Sequence, residues 1–365
     1  MAVDPQLVLI DDNNPASAAL WKALNAGFSV IRFNGGGVEP SAVGMVKAAV
    51  VCLNNAALER YAVDNGALGL STSNTVFVLP THNAESVDRL VQRGVRDYFV
   101  APVAEADLWA AIQKAVNRGV ESSWETLAPV MRDALVASRS TLSACFDLAR
   151  KGEPLDLADV NQACGLINDA LPNLGIADWL STIRAHHDYT YRHSMFVCGA
   201  ITQFGRAIGA TDNDIHILTA GGVLHDIGKS HVPQCILDKP TKLDEAEWVV
   251  MGQHPSHSRE ILFRESGLDP RIVAMAVHHH EKLDGTGYPD GLSGHQITDH
   301  IRLMSIADVF SALVDERAYK PAMSPEAALN RMETFKGHLD LDLLKAFKEF
   351  VMDHDVGGEA PAEVA

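Results

Sequence analysis

Leu224-His225-Asp226-Ile227-Gly228-Lys229 closes an apolar run with an imidazole beside a carboxylate. Such a pair offers a metal two ligands from adjacent residues. Reading outward, His193 lies in Tyr189-Thr190-Tyr191-Arg192-His193-Ser194, at the opening of an apolar helix. Met251-Gly252-Gln253-His254-Pro255 sets a histidine at an expected helix end, and His279-His280-Glu281 precedes the glycine-rich loop Asp284 to Pro289. Ile306-Ala307-Asp308-Val309 places a carboxylate in an apolar helix. Gly221-Gly222 permits close helix packing, and Gly228 is expected to end its helix. A lone histidine on an apolar face is usually a satisfied core residue. A buried unpaired carboxylate such as Asp308 is costly, and coincidence explains several such residues in one helical stretch poorly. Mixed nitrogen and carboxylate ligands suit first-row transition metals better than Ca²⁺ or Mg²⁺. A single tetrahedral zinc would leave several of these residues without a role. The full set, with one bridging Asp, suits two octahedral ions. Two metals about 3.5–4 Å apart clamp an in-line phosphoryl displacement. The stretch therefore reads as part of a metallo-hydrolase carried on helices.

Length and charge narrow the field. The 365 residues favour two or three domains, and 47% hydrophobic residues describe an ordinary soluble protein. A formal net charge of −17 argues against a broad basic footprint for DNA. It leaves room for a small phosphate ligand, because a bound metal and local cations can invert the field within one cleft. The five cysteines are scattered and form no CxxC, which fits buried thiols in a reducing cytoplasm. Leu7 to Ile10 is too short for a signal-peptide core, and no stretch approaches the roughly 20 apolar residues of a membrane span.

Residues 1–120 alternate short apolar runs with helical patterns. Leu7 to Ile10, Ala48 to Leu53, Thr75 to Leu79 and Asp97 to Val100 read as buried strands, with helices at Ser17 to Leu24 and Ala84 to Arg93. Such alternation implies a parallel sheet covered on both faces. Residues 121–180 carry a helical stripe through Leu135, Leu142, Cys145, Phe146 and Leu148. They form a helical connector or the first helices of the next domain. Residues 181–352 are helical throughout, with loops at Lys239-Pro240, His254-Pro255 and Asp284 to Pro289. The tail, 353–365, is expected to be disordered.

The first region resembles a response-regulator receiver, a flavodoxin-like α/β fold, over roughly residues 5 to 118. Asp11-Asp12 match the receiver's acidic pair and Thr81 its hydroxyl position. The phosphoacceptor position holds Asn54 or Asn55, and the lysine position before Pro102 holds Ala101. An amide cannot take a phosphoryl group as a carboxylate does. The resemblance therefore implies a receiver-like domain without phosphorylation chemistry, used for docking. Asp11-Asp12 read alternatively as a solvated turn that caps the next helix.

His225 to Lys229, His254-Pro255, the run His279-His280-Glu281-Lys282-Leu283-Asp284-Gly285-Thr286-Gly287-Tyr288-Pro289 and Ile306 to Phe310 resemble the HD-GYP family of HD phosphohydrolases. The likeness spans residues 181 to 350. It implies an all-α helical bundle that binds Fe, Mn or related ions and hydrolyses cyclic di-GMP to linear pGpG and on to GMP. By resemblance, His193, His225, Asp226, His254, His279, His280 and Asp308 are metal ligands, with Asp226 the bridge. Lys229 contacts substrate phosphate and assists leaving-group protonation, and Arg317 and Lys320 meet the dinucleotide. Tyr288 lines the cleft or docks a protein partner at the Gly-Tyr-Pro loop. Trimetal members carry a Glu where this chain has Tyr189, so two ions are expected, iron first and manganese second. His278 falls outside the ligand set by register.

Other departures bear on the substrate rim. Ser230-His231-Val232-Pro233-Gln234 and Gly294-His295-Gln296-Ile297-Thr298 differ from the family pattern. Val314-Asp315-Glu316-Arg317 adds negative charge beside the substrate cations. Two alternatives follow: a catalytically weak or silent cyclic-dinucleotide sensor or interaction module, and an HD phosphohydrolase acting on a different nucleotide.

Overall fold

The computed structural model describes residues 7–25, 30–34, 46–60, 70–184, 186, 188–237, 239, 241–315 and 322–353, the side chains of 55, 59, 60, 106 and 173–178 excepted. The chain divides into two compact units. One comprises Met1–Thr126 with Ala185–Asp188, the other Leu127–Arg184 with Tyr189–Ala365.

The first unit runs β1 (Leu7–Asp11), α1 (Pro15–Leu24), β2 (Val30–Asn34), β3 (Ala48–Cys52), α2 (Asn55–Arg60), β4 (Thr75–Leu79), α3 (Ala84–Gln92), β5 (Asp97–Val100) and α4 (Glu105–Ser123). The five strands are parallel in the order β2-β1-β3-β4-β5, the flavodoxin-like order. Strands β1, β3 and β4 are buried along their whole length, as their unbroken apolar runs demand. Val8, Ile10, Ala49, Val51, Phe77 and Leu79 share one core with Leu90 of α3. Helix α4 lies so close to the sheet that a Cβ on Gly119 would meet Lys47 O. Strand β2 was not among the expected strands. Val30-Ile31-Arg32-Phe33-Asn34 is a half-exposed edge strand with an arginine at its centre, so it shows no continuous apolar run.

The second unit is helical, as expected. It contains α5 (Pro129–Lys151), α6 (Leu157–Arg184), α7 (Tyr189–Ala207), α8 (Asp212–Leu224), α9 (Gln234–Leu237), α10 (Glu245–Met251), α11 (His254–Leu262), α12 (Pro270–His278), α13 (Asp299–Val314), α14 (Pro325–Met332) and α15 (Leu341–Asp353). Helices α5 and α6 pack on each other and on α7 and α8, and so belong to the compact body of this unit. Phe204, Phe310, Phe347 and Phe350 interlock α7, α13 and α15.

The glycine pair acts as expected, since a Cβ on Gly222 would lie 2.6 Å from Cys198 Cα and one on Gly221 would lie 2.2 Å from Met275 Cε. Two local expectations change. Helix α8 ends at Leu224, and Gly228 sits in a following 3₁₀ turn, Ile227–His231. The glycine is needed there for close approach, because a Cβ would lie 1.9 Å from His254 O. His254-Pro255 starts α11 instead of closing a helix, with the proline in the first turn where its missing N–H costs nothing. Among the described residues no helix is long and apolar enough to cross a membrane.

Candidate metal centre

In the second unit, helix ends and turns converge on Asp226. His193 comes from the first turns of α7, His225 caps α8, and Lys229 lies in the 3₁₀ turn. His254 opens α11, His279 caps α12 and Asp308 lies in the middle of α13. His193, His225, Asp226, His254, His279 and Asp308 are buried, and His280 is half-buried.

The two carboxylate oxygens of Asp226 face different partners. Oδ2 lies 3.3 Å from His225 Nε2 and 3.7 Å from His193 Nε2. Oδ1 lies 3.3 Å from His254 Nε2 and 3.9 Å from His279 Nε2. Asp308 joins both sides, with Oδ1 at 2.9 Å from His193 Nε2 and Oδ2 at 3.8 Å from His280 Nδ1. The donor atoms fall into two groups, each within 4.8 Å: His193, His225 and Asp308, and His254, His279 and His280. Asp226 stands between them.

The imidazoles are oriented for ligation. Nδ1 of His225 is 2.9 Å from Gly222 O, and Nδ1 of His254 is 2.8 Å from Met251 O. Nδ1 of His279 lies 3.1 Å from Ala276 O and 3.2 Å from Met275 O. A proton on each Nδ1 satisfies these carbonyls and leaves an Nε2 lone pair facing inward, the usual outer support of metal-bound histidine. His225 Nε2 is buried without a hydrogen bond, despite its charge contact with Asp226. That orphaned atom fits a metal.

Charge states agree with this reading. Burial holds His254 down to about 3 and His279 down to about 4, and drives His193 and His280 down as well. Burial would raise Asp226, but Lys229 and then His225 hold it well below the usual carboxylate range. Asp308 meets the same opposition from burial and is held low chiefly by His193. His225 runs the other way, because Asp226 outweighs its burial and raises it. The cluster thus pairs ionised carboxylates with mostly neutral imidazoles. Lys229 Nζ lies 2.5 Å from Asp226 Oδ2.

Around this centre lie groups that the sequence did not single out. Ser258 Oγ accepts from Gly228 N–H at 3.0 Å, tying α11 to the turn that carries Lys229. Ser305 Oγ donates to His279 O at 2.8 Å and fixes α13 against α12. Glu281, 1% exposed, accepts from the backbone of Asp290 at 2.7 Å and Leu292 at 3.0 Å. It thereby bolts the glycine-rich loop to the histidine run, and the adjacency of Glu281 to His279-His280 was its one sequence signal. A Cβ on Gly287 would lie 2.5 Å from Glu281 Cα, so the loop can close that tightly only with glycine. Tyr288 lies on His280, with ring centroids 4.9 Å apart and planes at 29°, and so lines the centre. His278 stays outside both ligand groups, 3.8 Å from Glu281 and Asp290.

One expected effect is corrected. Asp315 adds no free charge to the rim: it is 1% exposed and accepts from Arg192 Nε at 2.8 Å. Glu316, the other acid of that expectation, and Arg317 and Lys320 lie outside the described residues.

The first unit's acidic pair is built differently. Buried Asp11 accepts from Arg32 Nε at 2.6 Å and Arg32 Nη2 at 3.1 Å. Arg32 Nη2 also donates to Asn13 Oδ1 at 2.8 Å. Asp12 accepts from Asn54 N at 2.8 Å and Asn14 Nδ2 at 2.7 Å. Asn54 Oδ1 in turn accepts from Ala57 N at 2.9 Å, so the amide is used locally at the start of α2. Asn14, rather than the acidic pair, caps α1. Four of the five cysteines are buried and Cys235 is exposed. Burial raises Cys52 to about 11 and Cys145 to about 12, which keeps those thiols inert.

Residues 180–343 match the HD domain family. A cyclic di-GMP phosphodiesterase of Pseudomonas aeruginosa, PA4108, is 33% identical over 229 residues, covering 61% of this chain and 55% of that protein. A 3'3'-cGAMP-specific phosphodiesterase of Vibrio cholerae, number 3, is 40% identical over 167 residues, covering 46% of this chain and 36% of that one. The chain therefore spans about half or less of the length of these two relatives. A cyclic di-GMP phosphodiesterase of Thermotoga maritima is 26% identical over 337 residues, covering 91% of this chain and 86% of that protein. Among solved structures, the HDG"Y"P protein Bd1817 of Bdellovibrio bacteriovorus aligns with a TM-score of 0.50 at 18% identity, over 67% of this chain and 81% of that one. That likeness speaks for the fold.

Proposed function

We propose that this protein is a phosphodiesterase of the HD-GYP kind, which opens cyclic di-GMP to linear pGpG and carries it on to GMP in the cytoplasm. The observation that carries this reading is Asp226, whose two oxygens face two separate groups of imidazoles. In this reading His193, His225 and Asp308 would hold one divalent ion, His254, His279 and His280 the other, and Asp226 would serve both. Iron is the first candidate and manganese the second. Bound there, the two ions supply an activated water and neutralise charge on the phosphoryl oxygens.

The chain's own residues do the rest. Gly222, Met251 and Ala276 carbonyls fix which imidazole nitrogen faces inward. Lys229, whose ammonium sits against Asp226, is assigned by resemblance to meet a phosphate oxygen and to supply a proton to the departing oxygen. Tyr288 walls the cleft beside His280. Arg317 and Lys320 are assigned to the dinucleotide by resemblance. The loop that Glu281 anchors is the candidate surface for a protein partner.

Metal analysis of the purified chain together with a product assay tests the proposal. About two equivalents of iron or manganese, with pGpG appearing from cyclic di-GMP, are expected. Metal-replete protein that leaves cyclic dinucleotides intact would sink it. A second reading, that the substrate is 3'3'-cGAMP, draws support from the Vibrio cholerae relative. Parallel rates on both dinucleotides decide between them.

A further inference from the structure

Three histidines of the centre, His225, His254 and His279, direct Nδ1 at a backbone carbonyl of their own helical turn. His193 departs from this. Its Nδ1 is buried and has no hydrogen-bond partner among the described residues. Asp308 holds its Nε2 edge at 2.9 Å, so on the Nδ1 side a packing contact, rather than a carbonyl, is what can restrain the ring.

The ring of Tyr189 supplies that constraint. Tyr189 precedes His193 by four residues on α7, so the two share a helix face. Their centroids are 5.7 Å apart and their planes differ by 10°. Tyr189 is itself held. The Arg192 guanidinium lies 5.7 Å from its ring centroid and is pinned through Nε to Asp315 at 2.8 Å. Asp315 is fixed at the end of α13, its N–H donating to Ser311 O at 3.0 Å. A chain of contacts thus runs from Asp315 through Arg192 and Tyr189 to His193, whose Nε2 meets Asp308 at 2.9 Å.

We propose that Tyr189 is a positioning residue for His193: the face of its ring restrains the orientation of the one imidazole of these four whose Nδ1 no carbonyl holds. The inference rests on the metal-centre reading. It implies that the aromatic face, and not the hydroxyl, is what counts. It also implies that the effect is confined to the ion held by His193, His225 and Asp308. Outer supports of metal ligands are worth about tenfold to a hundredfold in affinity.

The test is titration of the chelator-stripped, full-length chain with Mn²⁺ in a calorimeter, for the wild type, Tyr189→Phe and Tyr189→Leu, with a thermal melt of each. The wild type is expected to take two equivalents. Tyr189→Phe should match it. Tyr189→Leu should melt with the wild type but bind one of the two equivalents about tenfold to a hundredfold more weakly. The proposal is overturned if Tyr189→Leu keeps both affinities, or if Tyr189→Phe loses as much as Tyr189→Leu. Loss of both equivalents together with a lowered melting temperature also overturns it, because that marks a merely structural role. A wild type that binds no Mn²⁺ removes the metal-centre reading itself, and this inference with it.

Discussion

Asp11 and Asp226 are both fully buried carboxylates at the end of a secondary-structure element, each followed by a turn, and they have opposite fates. Asp11 meets a guanidinium, and its partner Asp12 meets a backbone N–H and an amide. Every strong acceptor of that pair is answered from within the chain. Asp226 meets one ammonium on Oδ2 and otherwise imidazole nitrogens whose lone pairs point at it. The difference shows that buried acid alone does not make a metal site. What matters is whether its neighbours are donors that satisfy it or further acceptors that need a cation.

The sharpest way to break this contrast is to remove each acid in turn. Asp226→Ala takes one ligand from both groups. Bound metal should fall from two equivalents towards none, and hydrolysis should drop by at least about a hundredfold. Asp11→Ala should leave metal content and rate unchanged. Elemental analysis and a product assay on the two variants check this, and equal losses would erase the distinction between the two sites.

A pH titration of metal-stripped protein gives the next effect. His254 and His279 are held at about 3 and about 4 against an ordinary 6.5. They stay neutral when folded but take up protons when unfolded. Stability should therefore fall as pH drops from 6.5 towards 4, with a slope approaching about 1.4 kcal/mol per pH unit for each group. His225 is raised and contributes with the opposite sign, its share being present below 6.5 and lost as pH climbs through its folded value. Urea unfolding of the helical unit at several pH values measures the sum. His254→Gln should flatten the slope by about one group's worth.

The histidine and aspartate cluster was legible because several of its members sit at the edges of apolar helical runs, His225 after α8 and His279 after α12, though His254 opens a helix where an end was expected. Polar residues at the edges of apolar runs stand out in a sequence. What did not stand out was pairing across distance. Nothing in Val30-Ile31-Arg32-Phe33-Asn34 marks a strand, since its residues are half-exposed, and so nothing placed Arg32 beside Asp11. Arg192 and Asp315 are 123 residues apart, and nothing in the sequence pairs them. The parallel sheet was legible from β1, β3 and β4, whose burial on both faces leaves an apolar run. Gly228 was misread because a helix stop and a close approach call for the same residue.

Arg32 offers a smaller test of the same contrast. Arg32→Ala leaves Asp11 buried without its ion pair. With Arg32 about a third exposed, the cost should be near the low end for a broken buried pair, about 2–3 kcal/mol, read from the melting of the α/β unit. Metal content and hydrolysis should not change. A shift of either would mean that the state of the α/β unit reaches the helical one, which the opposed fates of Asp11 and Asp226 give no reason to expect.

The smallest effect is expected at Asn54. Asn54→Asp puts a carboxylate at one of the two positions, Asn54 or Asn55, that resemble a receiver's phosphoacceptor. The new residue caps as well as the old, because Asp and Asn rank together at helix starts, so stability should move by less than about 0.5 kcal/mol. It should still take no label from a small acyl phosphate. Arg32 would continue to occupy Asp11, and Ala101 supplies no cation to hold the transferred group. Incorporation of label would show that the guanidinium leaves Asp11 when a stronger anion arrives, and the first acidic pair would then be a masked site rather than a closed one. Absence of label in Asn54→Asp and its appearance in Asn54→Asp combined with Ala101→Lys would locate the deficiency in the missing lysine rather than in Arg32.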